Sequence, residues 1–243
     1  MKPNFIDLKK PASVVIEVFD SDEAVKKQFS DAFSAQALAF AEAFSPAYTD
    51  FEKLLEAGNS VLQTELVSAF MHGVLDDLLI STKLLLTGKL SASGNLVRQA
   101  TEGLCMTIMC SHVGTLEIGK KEQVYWELIQ ADDEAASGNL APRQLVRNWE
   151  RLGLVSAGAT QLKETVEMHH AHSHAGRLAM ANRMDLGANG YLHFGGHFDP
   201  QKSQAYDLEL QQQIGLCKLT TIVCQQLLPK VQEIVKNATA RPS

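Results

Sequence analysis

The sequence predicts an all-α helical bundle carrying one small β-hairpin or ordered loop near residues 185–200. Three observations lead there. Apolar residues recur at helical spacing over most of the 243 residues, and glycines and prolines fall between the periodic stretches. Only 185–200 breaks the pattern, with Gly187, Gly190, Gly195 and Gly196 crowded beside Asn189 and Pro200. A chain that is 45% hydrophobic and 21% charged has the apolar content of an ordinary domain with one core.

Taken in order, residues 1–20 read as an extended N-terminal arm, because Pro3 and Pro11 precede the β-branched run Val14-Val15-Ile16. Residues 21–238 read as one helical domain, with no repeat or low-complexity linker to divide them. Ser21 offers an N-cap, and Asp22 and Glu23 suit the positive end of a helix running to about 44, where Pro46 is expected to end it. A short helix over 47–57 closes at Gly58-Asn59. Helices over 60–87 and 91–112 are joined through Gly88, and so short a connection implies an antiparallel hairpin. An amphipathic helix is expected over 121–136, then one from Pro142 to 152 with Gly153 just beyond its end. A histidine-bearing helix spans 159–183. Asn189-Gly190 then marks a tight turn, and a last helix covers 202–237 with Leu208, Ile214, Leu219, Ile222, Val223 and Leu227 as its packing face.

The formal charge of -6 argues against a chain coated for nucleic acid or anionic membrane, while leaving room for a local basic groove. The most apolar stretch, 66–90, contains His72, Asp76, Asp77 and Lys83, so a buried helix is expected there and no membrane span. No signal-like apolar segment follows the first residues, and a cytoplasmic location is the expectation. Cys105, Cys110, Cys217 and Cys224 show no metal-site spacing and sit in apolar helical stretches, where reduced cysteine packs as a small hydrophobe.

Six of the eight histidines fall between 169 and 197: His169, His170, His172 and His174, then His193 and His197. Helical geometry splits the first cluster. Met168, Ala171, Ala175, Leu178 and Ala179 form an apolar stripe containing His172, which reads as core packing, and His169 points elsewhere. Glu167, His170, His174 and Arg177 share a neighbouring face. Glu167 with His170, and His170 with His174, have the spacings of paired metal ligands on one helix; a divalent transition metal held by Glu167, His170, His174 and His72 is therefore one candidate site.

Arg98 and Glu102 lie four apart on a stripe continued by Cys105 and Met109, and a half-buried ion pair of this kind needs partners. They can face His170 and His174 across the bundle. Glu65, Ser68, His72, Asp76 and Lys83 form a solvated stripe on their helix, and Arg143, Arg147 and Arg151 form a basic one. No nucleophile elbow, Walker loop or dinucleotide fingerprint occurs.

Leu96-Val97-Arg98-Gln99-Ala100-Thr101-Glu102 on one helix, followed by Ser173-His174-Ala175-Gly176 on a later one, resembles the HEPN-like helical proteins of prokaryotic defence and toxin–antitoxin loci. The resemblance covers roughly 60–228. It implies an all-α bundle, often dimeric, and in active members a metal-independent ribonuclease without a cofactor. Those members carry an Arg followed four to six residues later by His, and no Arg here has His at that spacing. A centre on this chain would then draw on His170 or His174 as the acid–base group and on Arg98, Glu102 and Arg177 for charge. Three expectations stand side by side: a HEPN-like protein acting on RNA or a nucleotide, a metal-dependent hydrolase, and a non-catalytic helical module binding a protein partner.

Overall fold

The computed structural model describes residues 9–58, 61–173, 176–187 and 192–240, apart from the side chains of 171–173. Among these residues the chain forms helices α1 (Pro11–Val18), α2 (Glu23–Gly58), α3 (Leu62–Leu85) and α4 (Leu90–Cys110). A two-stranded hairpin follows, β1 (Leu116–Ile118) and β2 (Lys121–Gln123), then α5 (Tyr125–Gln130), α6 (Ala141–Arg147), α7 (Ser156–Ser173), α8 (Arg177–Ala181) and α9 (Ser203–Thr239). The all-α bundle with one small hairpin is thus the fold.

Packing makes a four-helix centre. α3 and α4 form the expected antiparallel hairpin, tied near the turn by Ser81 and Ser93, whose hydroxyls lie 3.0 Å apart. α9 runs parallel to α2, with Gln36 bonded to Asp207 near one end and Gln225 to Asp50 further along. Phe40, Phe51, Leu54, Met71, Leu78, Val97, Leu104, Cys217, Leu227 and Val231 fill the space between these helices. A smaller aromatic cluster of Phe29, Phe33 and Tyr206, with Phe198 against it, closes the end where α2 and α9 begin. α7 lies antiparallel on the outer side of α4, placing His170 near Arg98 and Leu162 near Ile108.

Several sequence expectations give way here. The arm contains helix α1, because Pro11 suits a first helical turn and the β-branched run tolerates helix once nucleated. Pro46 lies inside α2, which bends instead at Phe33, where φ is -131° and ψ 22°. Burial of Ala43, Ala47, Phe51 and Leu54 outweighs the roughly 3 kcal/mol that an internal proline costs. A hairpin stands at 116–123, where a helix was expected from 121 on, while among the described residues 185–200 is the ordered loop, with one bridge from Met184 to Leu192; Asn189-Gly190 lies outside the described residues. Asn148 explains the position. Its side chain accepts from the Glu117 amide and donates to the Glu117 carbonyl, pairing with β1 as a further strand would. In place of the helix expected over 121–136 stand β2, α5 and a 3-10 turn, Glu134–Ala136, and a second 3-10 turn, Gly138–Leu140, follows. Arg147 and Arg151, read as a solvated basic stripe, reach Glu117 and Glu122 of the hairpin.

The histidine helix divides into α7 and α8, and its inward face is Ala159, Leu162, Val166 and His169, while Met168 and Leu178 are exposed. On α9, Leu208 and Ile222 face solvent, and Tyr206, Leu210, Ile214, Cys217, Val223 and Leu227 pack inward. Ser68 is buried, unlike the rest of its stripe. No helix of the described residues is long and apolar enough to cross a membrane.

Candidate functional site: an arginine between a buried carboxylate and a histidine

Arg98 and Glu102 rise from adjacent turns of α4 on the side facing α7. The guanidinium Nε is 3.6 Å from the Glu102 Oε1, an ion pair longer than a hydrogen bond, and both atoms are buried with no hydrogen-bond partner. On its far side Arg98 Nη1 is 3.5 Å from His170 Nδ1. Arginine can only donate, so at this contact Nδ1 is the acceptor. Burial raises the Glu102 carboxyl above its ordinary value, and the Arg98 charge beside it offsets part of that rise. Gly138, at the start of a 3-10 turn, covers the carboxylate: a Cβ there would lie 3.5 Å from Glu102 Oε2. His170 is exposed at the rim. The arrangement is a cation steadied from within by a buried carboxylate and bordered on the outside by an imidazole.

The other candidates scatter. Glu167 turns to Lys163, 3.1 Å away, and Arg177 is exposed at the start of α8. His72 sits on the opposite side of the bundle, its ring centroid 6.0 Å from that of Phe51. Among the described residues no three His, Cys, Asp or Glu side chains are placed to hold one metal ion. His174 and the side chain of His172 lie outside the described residues. Burial pushes the thiols of Cys110, Cys217 and Cys224 up to about 12 and that of Cys105 higher still, so these cysteines remain protonated core groups.

His169, expected to be peripheral, is buried. Its Nδ1 donates to the Thr165 carbonyl at 2.8 Å, and its Nε2 lies 3.3 Å from Glu209 Oε2 on α9. Burial by itself lowers the imidazole pKa, but the Glu209 carboxylate and the Thr165 carbonyl outweigh it and raise it. One turn along α9, Gln213 accepts from Thr82 and donates to the hydroxyls of Ser81 and Ser93, all at 2.8–3.0 Å. Glu209 and Gln213, four apart on an otherwise apolar face, were the signal available for this polar core.

His193 and His197 join neither Arg98 nor His170. Their rings stack on each other with centroids 4.2 Å apart. Lys202, itself buried, donates to the carbonyls of Asn182 and Met184 and to His197 Nε2. Burial, with the Lys202 charge beside it, lowers His197 to about 4. Gly195-Gly196 allows a close approach, but what approaches is the α3–α4 turn: a Cβ at Gly196 would stand 1.6 Å from the Thr87 carbonyl oxygen. His197 in turn abuts Gly88, ten residues before Arg98 and so roughly 15 Å away along the axis of α4.

No protein-family model, curated protein or solved structure matches this chain.

Proposed function

We propose that the Arg98–Glu102–His170 cluster binds and processes a phosphate-bearing ligand, RNA or a nucleotide, in a defence or stress setting. The observation that supports the reading is the loose ion pair. At 3.6 Å the Glu102 carboxylate orients the guanidinium without engaging its Nε in a hydrogen bond. The buried Nε faces that carboxylate, and the outer edge of the guanidinium, whose Nη1 reaches His170, is the part left for a phosphate oxygen, which it binds with planar, charge-assisted geometry. In this scheme His170 takes the proton of the attacking hydroxyl and, as the imidazolium so formed, returns it to the departing oxygen, while Arg98 stabilises the charge developing on the phosphoryl oxygens. Glu102 is a positioning residue in this scheme.

The purified chain, incubated with single-stranded RNA and with a panel of nucleotides in the presence of EDTA, is expected to bind or cleave one of them. His170→Ala should lower turnover by about 100-fold or more, and Arg98→Lys should lose ligand affinity while keeping the fold. Turnover unchanged in His170→Ala removes the assignment, as does turnover abolished by EDTA and restored by a divalent metal.

A further inference from the structure

Helices α7 and α9 stand apart around an open groove of about 480 Å³, a volume in the range of sites that hold small ligands. Its floor is aliphatic, with Ile108 of α4, Leu162 of α7, and Leu216 and Val223 of α9, all four buried in the chain. The lining runs on α7 from Val155, directly before the helix, to Thr165, and on α9 from Gln212 to Gln226. At 1.5 Å per residue the shorter wall is roughly 15 Å long, the span of an extended alkyl chain of about a dozen carbons. Gly158 and Gly215 stand in the two walls, and a Cβ at either would meet nothing within 4 Å. Glycine is the poorest helix former after proline, so both helices give up stability where the groove is kept open. Val155, 75% exposed, and Ile222, 50% exposed, leave apolar surface at the mouth that a chain lying in the groove would cover.

The polar groups of the groove identify the head of such a ligand. They are the amides of Gln161, Gln212 and Gln226, the Thr165 hydroxyl and the Lys218 ammonium. Among the described residues no Asp or Glu lines it, although the chain as a whole carries a formal charge of -6. Lys218 also borders a second groove, between α2 and α9, whose lining includes Glu42, but the two are not within ion-pair distance. An aliphatic slot with one cation and no carboxylate fits an apolar chain that ends in a negative group.

We propose that this groove binds a free long-chain carboxylate of the fatty-acid kind, with the alkyl chain laid between α7 and α9 and the carboxylate held at Lys218. The site is separate from Arg98 and does not rest on the function proposed for that cluster. Calorimetric titration of the full chain with laurate, kept below its micelle concentration, is expected to show one saturable site with a Kd of about 10 µM or tighter. Decanoate, two methylenes shorter, should bind about 10-fold more weakly. Gly158→Leu and Gly215→Leu fill the slot and should each abolish saturable uptake, with melting temperatures no lower than that of the unsubstituted chain. Lys218→Glu alters an exposed position and leaves the fold intact; it should weaken laurate by about 10-fold and admit dodecylammonium in its place. Bound laurate should slow hydrogen exchange over 154–165 and 212–226. Absence of saturable laurate uptake overturns the proposal, and retention of the chain on anionic vesicles in that case would assign the groove to a lipid surface. Unsubstituted affinity in both leucine variants, or slowed exchange confined to other helices, would put the ligand elsewhere. Laurate affinity unchanged in Lys218→Glu would show that no carboxylate is held there.

Discussion

Two buried histidines oppose each other in their dependence on pH. His169 has its pKa raised, so the folded state holds its proton more tightly than the unfolded state, whose value is near 6.5. Its contribution is complete below that value and is lost as pH rises through the folded pKa. His197 is the reverse case. Lowered to about 4, it is buried neutral, and its contribution is complete above 6.5 and lost as pH falls toward 4. Stability should therefore peak near pH 6.5. Urea midpoints measured from pH 4.5 to 9 test this: His169→Gln should flatten the alkaline limb and His197→Gln the acid one. A profile in which both variants keep the wild-type shape would show that neither pair is coupled to folding.

At the scale of the element, glycines separate helix positions that tolerate a side chain from positions that forbid one. A Cβ at Gly73 in α3 or Gly215 in α9 meets nothing within 4 Å. Gly73→Ala and Gly215→Ala should each stabilise the fold by about 0.5–1 kcal/mol through helix propensity and reduced unfolded-state freedom. Gly196→Ala should destabilise by more than about 2 kcal/mol, since its Cβ would collide with a backbone carbonyl that cannot move without opening the α3–α4 turn. Thermal melts of the three variants decide the matter, and equal behaviour of Gly196→Ala and Gly215→Ala would contradict the packing described. The same contrast shows how far the sequence could be read. Arg98 and Glu102 were legible because their spacing and their apolar stripe are both local to α4. His169 was misplaced because counting alanines into a Met168–Leu178 stripe rotated α7 by about one position. The anchors that fix its rotation are Leu162, Val166 and a carboxylate forty residues away on α9. The hairpin at 116–123 went unread for a similar reason: β1 is held by the side chain of Asn148, a partner thirty-one residues distant that no local pattern announces.

At the scale of the whole molecule, stability should be graded outward from α3. That helix packs on α2, α4 and α9 and carries Ser81 and Thr82, which join Ser93 and Gln213 in a fully buried hydrogen-bonded set. Breaking any of these contacts exposes unpaired polar groups, so α3, α4 and the middle of α9 should open only by global unfolding. α7 is held differently. It leans on α4 and α6, and an apolar groove of about 480 Å³ runs between it and α9, with Gly158 and Gly215 in its walls. Its buried tie to α9 is the His169–Glu209 pair. Opening α7 therefore costs that pair and one packing face, less than the four-helix centre costs. α1, with nothing buried, should open most easily in the isolated chain. Hydrogen exchange read by mass spectrometry is expected to rank protection as α3, α4 and α9 above α2, then α7, then α1. Glu209→Gln should lower protection in α7 by about 10-fold or more, leaving the α3–α4 hairpin unchanged. Protection of α7 equal to that of α4, or a Glu209→Gln effect spread evenly over all helices, would mean that the molecule opens as one unit and that the groove is not a boundary between stable and labile parts.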